Sequence, residues 1–259
     1  MTTAGDRGAT AGPFGIKGLF VADISEALVR GEIDLAVHSA KDLPSEDPDG
    51  VTVAGVPQRG LPYDVLVTRT AKLPKSPVVG TSSLRRRAQI LRIYPDARVP
   101  DFRGNVDTRL RKLDEGQADA VVLAAAGLAR LGATPTNASP LPVDDMVPAP
   151  GQGALAVQAR SEDPAAAEVA AIDHPESRTA FETERRLVSL LGGGCRLPLG
   201  AYAEARRGAV RLLAVVVRPD GSDLLWSQVE AGTAEEAAGE AAEVLRSAGA
   251  EEILREVRD

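Results

Sequence analysis

Three groups of residues in this chain have types and spacings suited to chemistry on an anionic ligand. The first is the run Thr81-Ser82-Ser83-Leu84-Arg85-Arg86-Arg87, which places hydroxyl groups at the start of a predicted helix and guanidinium groups one turn later. A helix N-terminus favours negative charge, and arginine binds a carboxylate through two parallel hydrogen bonds. Arg103 and Arg109 belong to a second strand–turn–helix stretch of similar construction. These residues predict a carboxylate-binding site, and the alternative is a capped helix with a solvated arginine face.

The second group is a short polar segment, His38-Ser39-Ala40-Lys41-Asp42-Leu43-Pro44, which follows a predicted buried strand. Asp42 has the chemistry to move a proton or to stabilise a cation, and Lys41 has the charge to hold an anion beside it. An ordinary solvated loop is the alternative interpretation. A hydrolase that uses Ser39 and His38 is disfavoured because the chain has no G-x-S-x-G elbow.

The third group is the Gly-rich loop Gly192-Gly193-Gly194-Cys195-Arg196, which carries the one cysteine of the chain. Glycine lets a bulky group approach the backbone, and the charge of Arg196 favours the thiolate. Burial is the commoner fate of a lone cysteine, but a polar loop does not suit burial, so the pattern favours a reactive thiol. One cysteine excludes an internal disulfide. His38 and His174 lie far apart in sequence, so we expect no metal site.

Composition and charge limit the class of protein. Hydrophobic residues make up 44% and charged residues 26% of 259 residues, as in soluble globular proteins. The longest apolar stretch, near residues 121–129, is too short to span a bilayer, and the N-terminus has no signal-peptide core, so we expect a cytoplasmic protein. The net charge of −7 argues against nucleic-acid binding, yet residues 85–111 contain eight arginines and three aspartates. Such a patch suits a small polyanion.

Elements that would position these groups follow from the apolar periodicity. Residues 132–150, with five prolines, are expected to form a connecting loop. The predicted helices are 19–30, 81–93, 106–115 and 125–131, with further helical sequence over 233–257. The predicted strands are 33–37, 51–56, 65–68, 77–80, 98–102, 118–124, 201–205, 209–217 and 223–230.

An internal repeat indicates how these elements are arranged. The pattern L-x-x-G-x-x-D-x-x-V occurs at residues 28–37 and again at 113–122, each time as helix, glycine stop and buried strand. It predicts two α/β domains of similar construction, each with a mainly parallel sheet. Ligands bind beyond the carboxyl ends of such strands. Three closely spaced strands followed by Ala/Glu-rich helical sequence predict a C-terminal α+β domain with an antiparallel sheet.

Taken together, these motifs resemble the porphobilinogen deaminase family. They follow the order and spacing of the family across nearly the whole chain. The matching motifs are Gly15-Ile16-Lys17-Gly18-Leu19-Phe20, the segment from Ile33 to Pro44, Val79-Gly80-Thr81-Ser82-Ser83-Leu84-Arg85-Arg86, Arg103-Gly104-Asn105-Val106-Asp107-Thr108-Arg109-Leu110, Pro150-Gly151-Gln152-Gly153-Ala154 and Gly193-Gly194-Cys195.

This resemblance implies an α/β fold with two periplasmic-binding-protein-like domains and a C-terminal α+β domain that has a three-stranded antiparallel sheet. The expected domain 1 is 1–57 with 154–172, domain 2 is 61–147 and domain 3 is 176–259. The resemblance also implies a monomer in tetrapyrrole and heme biosynthesis that polymerises porphobilinogen into hydroxymethylbilane with release of ammonia. The implied cofactor is a dipyrromethane attached covalently to Cys195.

Roles for individual residues come from the same resemblance. Asp42, with Lys41, is the implied catalytic group. The implied cofactor-binding residues are Cys195, Lys17, Ser39, Lys41, Asp42, Thr81, Ser82, Ser83, Arg85, Arg86, Arg103, Gly104 and Asn105. The implied substrate-binding residues are Arg103, Arg109 and Arg130.

The chain departs from the family pattern in three places. The family's opening strand–helix unit, with its R-x-S-x-L-A motif, is not matched, which indicates either a start codon placed too late or a truncated gene. In the second case we expect exposed apolar surface and strand edges on the first sheet. Arg196 follows the cysteine, and Tyr63-Asp64 stands where the family has an Arg-Asp pair. The alternatives to an active enzyme are therefore an inactive truncated relative and a non-enzymatic carboxylate-binding protein.

Overall fold

The structure is a computed structural model that describes residues 15–193 and 197–258, with side chains for 21–193 and 197–257. Its helices are α1 (Gly15–Val29), α2 (Leu84–Ile93), α3 (Val106–Asp114), α4 (Ala125–Arg130), α5 (Pro164–Val169), α6 (Pro175–Leu190), α7 (Ala234–Ser247) and α8 (Ala250–Arg258), with 3₁₀ turns at Ala40–Asp42 and Ala170–Ile172. Its strands are β1 (Leu35–Ser39), β2 (Val51–Gly55), β3 (Asp64–Thr68), β4 (Val79–Gly80), β5 (Ala120–Ala124), β6 (Ala138–Leu141), β7 (Leu155–Arg160), β8 (Leu199–Arg206), β9 (Ala209–Val217) and β10 (Leu224–Ala231). Along the described stretches, no helix has the length and apolar character needed to cross a membrane.

Each of the first two sheets contains one strand that runs against the others. The first sheet has the order β1-β7-β2, and β7 is antiparallel to both neighbours. The second has the order β4-β5-β3-β6, in which β4 and β5 are parallel while β3 is antiparallel to β5 and β6. Apart from that strand, the strands of each sheet run in one direction, as predicted, but every hydrogen-bonded pair of these two sheets except β4 with β5 is antiparallel in the described part of the chain. The reversed strands β3 and β7 are the ones that the chain enters on crossing from one sheet to the other.

The third sheet confirms the predicted three-stranded antiparallel sheet. Its order is β10-β9-β8, and the central strand β9 is buried along most of its length. Helices α6, α7 and α8 cover one face, where Leu187, Leu245 and Leu254 pack against Leu212. The helical sequence predicted for 233–257 forms two helices, because Gly249 at φ +100° separates α7 from α8. Glycine adopts this left-handed conformation without the strain that a side chain would add.

Three further differences concern single elements. The predicted connecting loop 132–150 contains β6, an edge strand paired only with β3, where Pro140 is tolerated because its missing N–H faces outward. The predicted strand 98–102 is reduced to one parallel bridge between Arg98 and Val78. Strand β7 and helix α6 were not predicted at all, and both contribute to the site described next.

Candidate functional site

A buried charge cluster forms where α2 begins. Ser83 caps this helix by accepting a hydrogen bond from the Arg86 backbone N–H, and the side chains of Arg85 and Arg86 in its first turn are buried. Arg85 Nη2 lies 2.8 Å from Asp64 Oδ2, and Arg86 Nη2 lies 2.6 Å from Oδ1 of the same carboxylate. Arg85 Nη1 also donates to the carbonyl of Val147 at 2.6 Å. The sequence predicted these arginines as ligand-binding groups, and the structure shows them bonded to buried groups of the interior.

The electrostatics of this cluster favour a further anion. Burial by itself would raise the pKa of Asp64, but the charges of Arg86 and Arg85 hold it well below its usual range. Burial lowers the pKa of Arg85 and of Arg109, and the charge of Arg86 adds to the lowering in both. The Nε–H groups of Arg85, Arg86 and Arg109 are buried and have no partner among the described residues. An unsatisfied buried donor costs about 1–3 kcal/mol, so an anionic acceptor would be stabilising there.

The three hydroxyl groups before α2 all accept hydrogen bonds from backbone N–H groups. Thr81 accepts from Ser83, Ser82 accepts from Phe102 at 3.0 Å, and Ser83 accepts from Arg86. Each hydroxyl retains a proton that a carboxylate can accept. Backbone hydrogen bonds thus fix the positions of these three hydroxyl groups without a bound ligand.

The second predicted group of arginines is spread over a wider area. Arg103 is exposed and pairs with Asp101, with 3.1 Å between Nε and Oδ2. Gly104 has φ +128°, and Asn105 caps α3 by accepting from a backbone N–H, so these two residues shape the turn. Arg130 Nη2 donates to the carbonyl of Gly153 at 2.8 Å.

The predicted catalytic aspartate lies on the Asp42 loop, by which we mean residues 40–47. This loop follows β1 and begins with a 3₁₀ turn, where the Ala40 N–H donates to Ala154 at 3.1 Å. Gly151 approaches so closely that a Cβ there would lie 2.8 Å from the Lys41 nitrogen. Burial lowers the pKa of His38, against the influence of nearby Asp42 and Asp47. His38 is thus a buried histidine of β1, the strand that precedes the loop.

A cavity of about 110 Å³ brings the first two predicted groups together. Its polar lining includes Lys41, Ser83, Arg85 and Arg185, and its apolar walls come from Leu43, Phe181, Val188, Leu197 and Leu199. Cationic groups over apolar walls suit a flat ring that carries carboxylates. The cavity therefore matches the ligand class predicted from the sequence.

The position of the predicted reactive cysteine can be bounded only by the described residues on each side of it. Residues 194–196, which include Cys195, lie outside the described residues, as does the side chain of Lys17. On one side of the gap, a Cβ at Gly193 would lie 3.0 Å from Ser45 Oγ on the Asp42 loop. On the other side, Leu197 lines the cavity. The chain therefore leaves and re-enters the described structure beside the cavity.

Two residues that the sequence did not single out connect this site to the third sheet. Glu184 of α6 is fully buried and accepts from Arg59 Nη1 at 2.6 Å, from the Gly151 N–H at 2.6 Å and from the Ala203 N–H at 2.7 Å. Arg59 also donates from Nε to the carbonyl of Gln152. The sequence did contain a signal for a functional or structural role of Glu184, because this charged residue interrupts the apolar face of α6 on which Ala180 and Leu187 are buried.

Comparisons with known proteins agree across the whole chain. A family model described as "Porphobilinogen deaminase, dipyromethane cofactor binding domain" matches residues 1–168, and one described as "Porphobilinogen deaminase, C-terminal domain" matches residues 179–252. The porphobilinogen deaminase of Pelobacter propionicus is 43% identical, over 99% of this chain and 86% of that protein. The porphobilinogen deaminase of Pelotomaculum thermopropionicum is 46% identical, over 100% of this chain and 86% of that protein.

Solved structures give weaker similarities. A periplasmic binding protein from Brucella ovis with glutathione bound is 16% identical, covering 64% of this chain and 51% of that one, with a TM-score of 0.35. A sulfonate-binding periplasmic protein from Methylobacillus flagellatus is also 16% identical, covering 66% of this chain and 52% of that one, with a TM-score of 0.33. Scores this low support no conclusion about function.

Proposed function

Because this chain belongs to the porphobilinogen deaminase family, we propose that it is a deaminating transferase of tetrapyrrole and heme biosynthesis. It joins porphobilinogen units head to tail into the linear tetrapyrrole hydroxymethylbilane and releases one ammonia for each unit added. One observation carries the proposal: the cavity that brings Lys41 and Arg85 together is lined by Leu197, two positions after Cys195, and by Ser45, which Gly193 approaches.

The residues present fit a dipyrromethane cofactor on Cys195. Such a group carries carboxylates on flat apolar rings, and the buried Nε–H groups of Arg85 and Arg86, which have no partner among the described residues, suit acceptors of that kind. When bound, the cofactor supplies the ring position to which the first substrate unit is joined. The residues that we assign to holding it are Cys195, Lys17, Ser39, Lys41, Asp42, Thr81, Ser82, Ser83, Arg85, Arg86, Arg103, Gly104 and Asn105.

Substrate carboxylates require a second set of cations, which we assign to Arg103, Arg109 and Arg130. Arg103 is exposed and Arg109 is half-buried, so they lie at different depths. A charged hydrogen bond contributes about 1.5–3 kcal/mol, so a few of them suffice to hold each added unit. Arginine suits this role because its planar group binds both carboxylate oxygens.

Asp42, beside Lys41, is the group that we assign to the chemical step. Loss of ammonia from the aminomethyl group of porphobilinogen leaves a delocalised cation on the pyrrole, and its ring N–H becomes more acidic. A fixed carboxylate beside that nitrogen interacts more strongly as the charge develops, so it stabilises the transition state more than the ground state. Lys41 meanwhile binds a carboxylate of the bound chain.

Intact mass and product analysis of the purified protein test this proposal. We expect a mass that exceeds the sequence mass by two joined pyrrole units, together with ammonia release and hydroxymethylbilane formation from porphobilinogen. Cys195→Ser is the control and should abolish both the extra mass and the activity. An unmodified protein that binds porphobilinogen but releases no ammonia would support the non-enzymatic alternative instead. The three-domain boundaries, a monomer without nucleic-acid partners and a cytoplasmic location stay predictions.

A further inference from the structure

Arg185 on α6 makes three hydrogen bonds to the part of the Asp42 loop that follows the aspartate itself. Its Nε donates to the carbonyl of Pro44 at 2.9 Å, and its Nη1 and Nη2 donate to the two carboxylate oxygens of Asp47 at 3.2 and 2.9 Å. The guanidinium carbon also lies 5.6 Å from the centroid of the Phe181 ring. Only 16% of the Arg185 side chain is exposed, so this two-pronged pair is shielded from water and from salt.

The same loop is attached to the first sheet at both ends. Asp47 Oδ1 accepts a hydrogen bond of 2.9 Å from Gln158 Nε2, and Gln158 lies on β7 with no exposed surface. At the start of the loop, the Ala40 N–H donates to the carbonyl of Ala154 just before β7. Asp42 therefore lies between one point bonded to the residue just before β7 and another bonded both to β7 and to α6.

Helix α6 leads into the loop that carries Cys195, and Arg185 lines the cavity beside Lys41. We propose that Arg185 is a positioning residue, which with Asp47 fixes the Asp42 loop, and with it the catalytic carboxylate, relative to the cavity that Lys41 and Arg85 line. The inference rests on the proposed function and adds to it a residue that acts on the reaction through the loop.

The physical reason lies in how steeply electrostatic catalysis depends on placement. A displacement of about 1 Å in a catalytic group can reduce the rate by about a hundredfold. Two parallel hydrogen bonds fix the orientation of Asp47 in a way that a lysine at position 185 would not, although the charge would be the same. A loop without this attachment would sample positions in which Asp42 is too far from the reacting ring.

The neighbouring residue provides a matched control. Arg186 lies on the same helix and pairs with Glu235 of α7 instead, with 2.7 Å between Nη2 and Oε1 and 44% of its side chain exposed. Arg186→Lys makes the same chemical change in the same helix without touching the Asp42 loop.

The experiment compares Arg185→Lys, Asp47→Asn, their double variant and Arg186→Lys in the full chain. Amide hydrogen exchange of residues 40–47, which needs no catalysis, should be about tenfold faster in the first three variants and unchanged in Arg186→Lys. In the same three, kcat per cofactor-loaded molecule should fall about tenfold to a hundredfold, with KM within about twofold and the cofactor mass retained. The double variant should match the single variants, because one attachment is lost in all three.

Three outcomes would overturn the inference. The first is unchanged exchange of the loop in Arg185→Lys, and the second is faster exchange with a normal kcat. The third is a fall in activity that only follows loss of cofactor mass and of melting temperature, since that would mark a purely structural role. An inactive wild-type protein would contradict the proposed function instead, and the exchange data would still decide whether Arg185 restrains the loop.

Discussion

Arg59 and Glu184, which are 125 positions apart in the chain, form a buried ion pair with 2.6 Å between Nη1 and Oε1. Arg59 lies on the segment that crosses from the first sheet to the second, and Glu184 lies on the helix that leads to the Cys195 loop. The same carboxylate accepts a hydrogen bond from the N–H of Gly151, on the segment that crosses back from the second sheet to the first. One side chain thus joins both crossings to the third sheet.

Glu184→Gln should lower the free energy of unfolding by about 3–5 kcal/mol, because it leaves the Arg59 charge buried without a counter-charge. Urea unfolding monitored by circular dichroism measures this change. Glu182→Gln on the same helix is the control, since Glu182 is 53% exposed and its pair with Arg178 is a surface contact. That change should alter stability by less than about 1 kcal/mol. Equal effects of the two variants would contradict the role given to Glu184.

Asp64→Asn should destabilise the protein by about 3–5 kcal/mol at neutral pH, because two buried guanidinium groups lose their carboxylate. Its effect should also depend on pH. The folded-state pKa of Asp64 lies below the ordinary value of 3.8, so the ionised group stabilises the fold above about pH 4 and this contribution is lost as the pH falls further.

Urea unfolding at a series of pH values checks this dependence. The stability difference between wild type and Asp64→Asn should be constant from about pH 8 to pH 5 and should narrow below about pH 4. Asp144→Asn serves as the control, because Asp144 is 63% exposed and forms only a surface pair with Arg211. A difference that stays the same down to the acid unfolding range would show that the charge of Asp64 is not what matters.

Arg109→Lys and Arg85→Lys should separate ligand binding from folding. Arg109 is half-buried, and its Nε has no partner among the described residues, so its loss should reduce kcat/KM by about tenfold to a hundredfold and leave the melting temperature unchanged. Arg85→Lys should reduce both kcat/KM and the melting temperature, because Arg85 also bonds Asp64 and Val147. Calorimetry and steady-state kinetics measure the two effects. A stability loss in Arg109→Lys with normal activity would contradict the assignment.

Asp42→Asn retains the shape of the side chain but removes its charge. We expect turnover to fall about 10²–10³-fold with little change in substrate binding, because the lost interaction strengthens only in the transition state. Single-turnover elongation by protein already carrying its cofactor is the measurement, since the cofactor is built from the same units. Asp49→Asn, at an exposed position beyond the loop, is the control. Elongation by Asp42→Asn within a few-fold of wild type would exclude Asp42 as the catalytic carboxylate.

The local sequence determined most individual elements and the chemical character of the site. Helix α2 follows from Ser83 as its cap and from buried Ile90 on its inner face. Gly31 and Gly116 end their helices at φ +71° and +77°, as the repeat indicated. These features depend on hydrogen bonds and side-chain spacing within a few residues, so they can be read directly from the sequence.

Only the tertiary structure decided which distant groups meet. Asp64 belongs to β3 and showed no sign of pairing with Arg85 and Arg86, while the directions of β3 and β7 depend on how the chain crosses between sheets. The bond from Arg185 to Asp47 likewise joins residues 138 positions apart. Contacts of this kind leave no local periodicity, because they depend on the packing of whole elements rather than on neighbouring side chains. The sequence therefore singled out the arginines that we propose as carboxylate-binding groups, and the fold determined that two of them, Arg85 and Arg86, pair with buried Asp64.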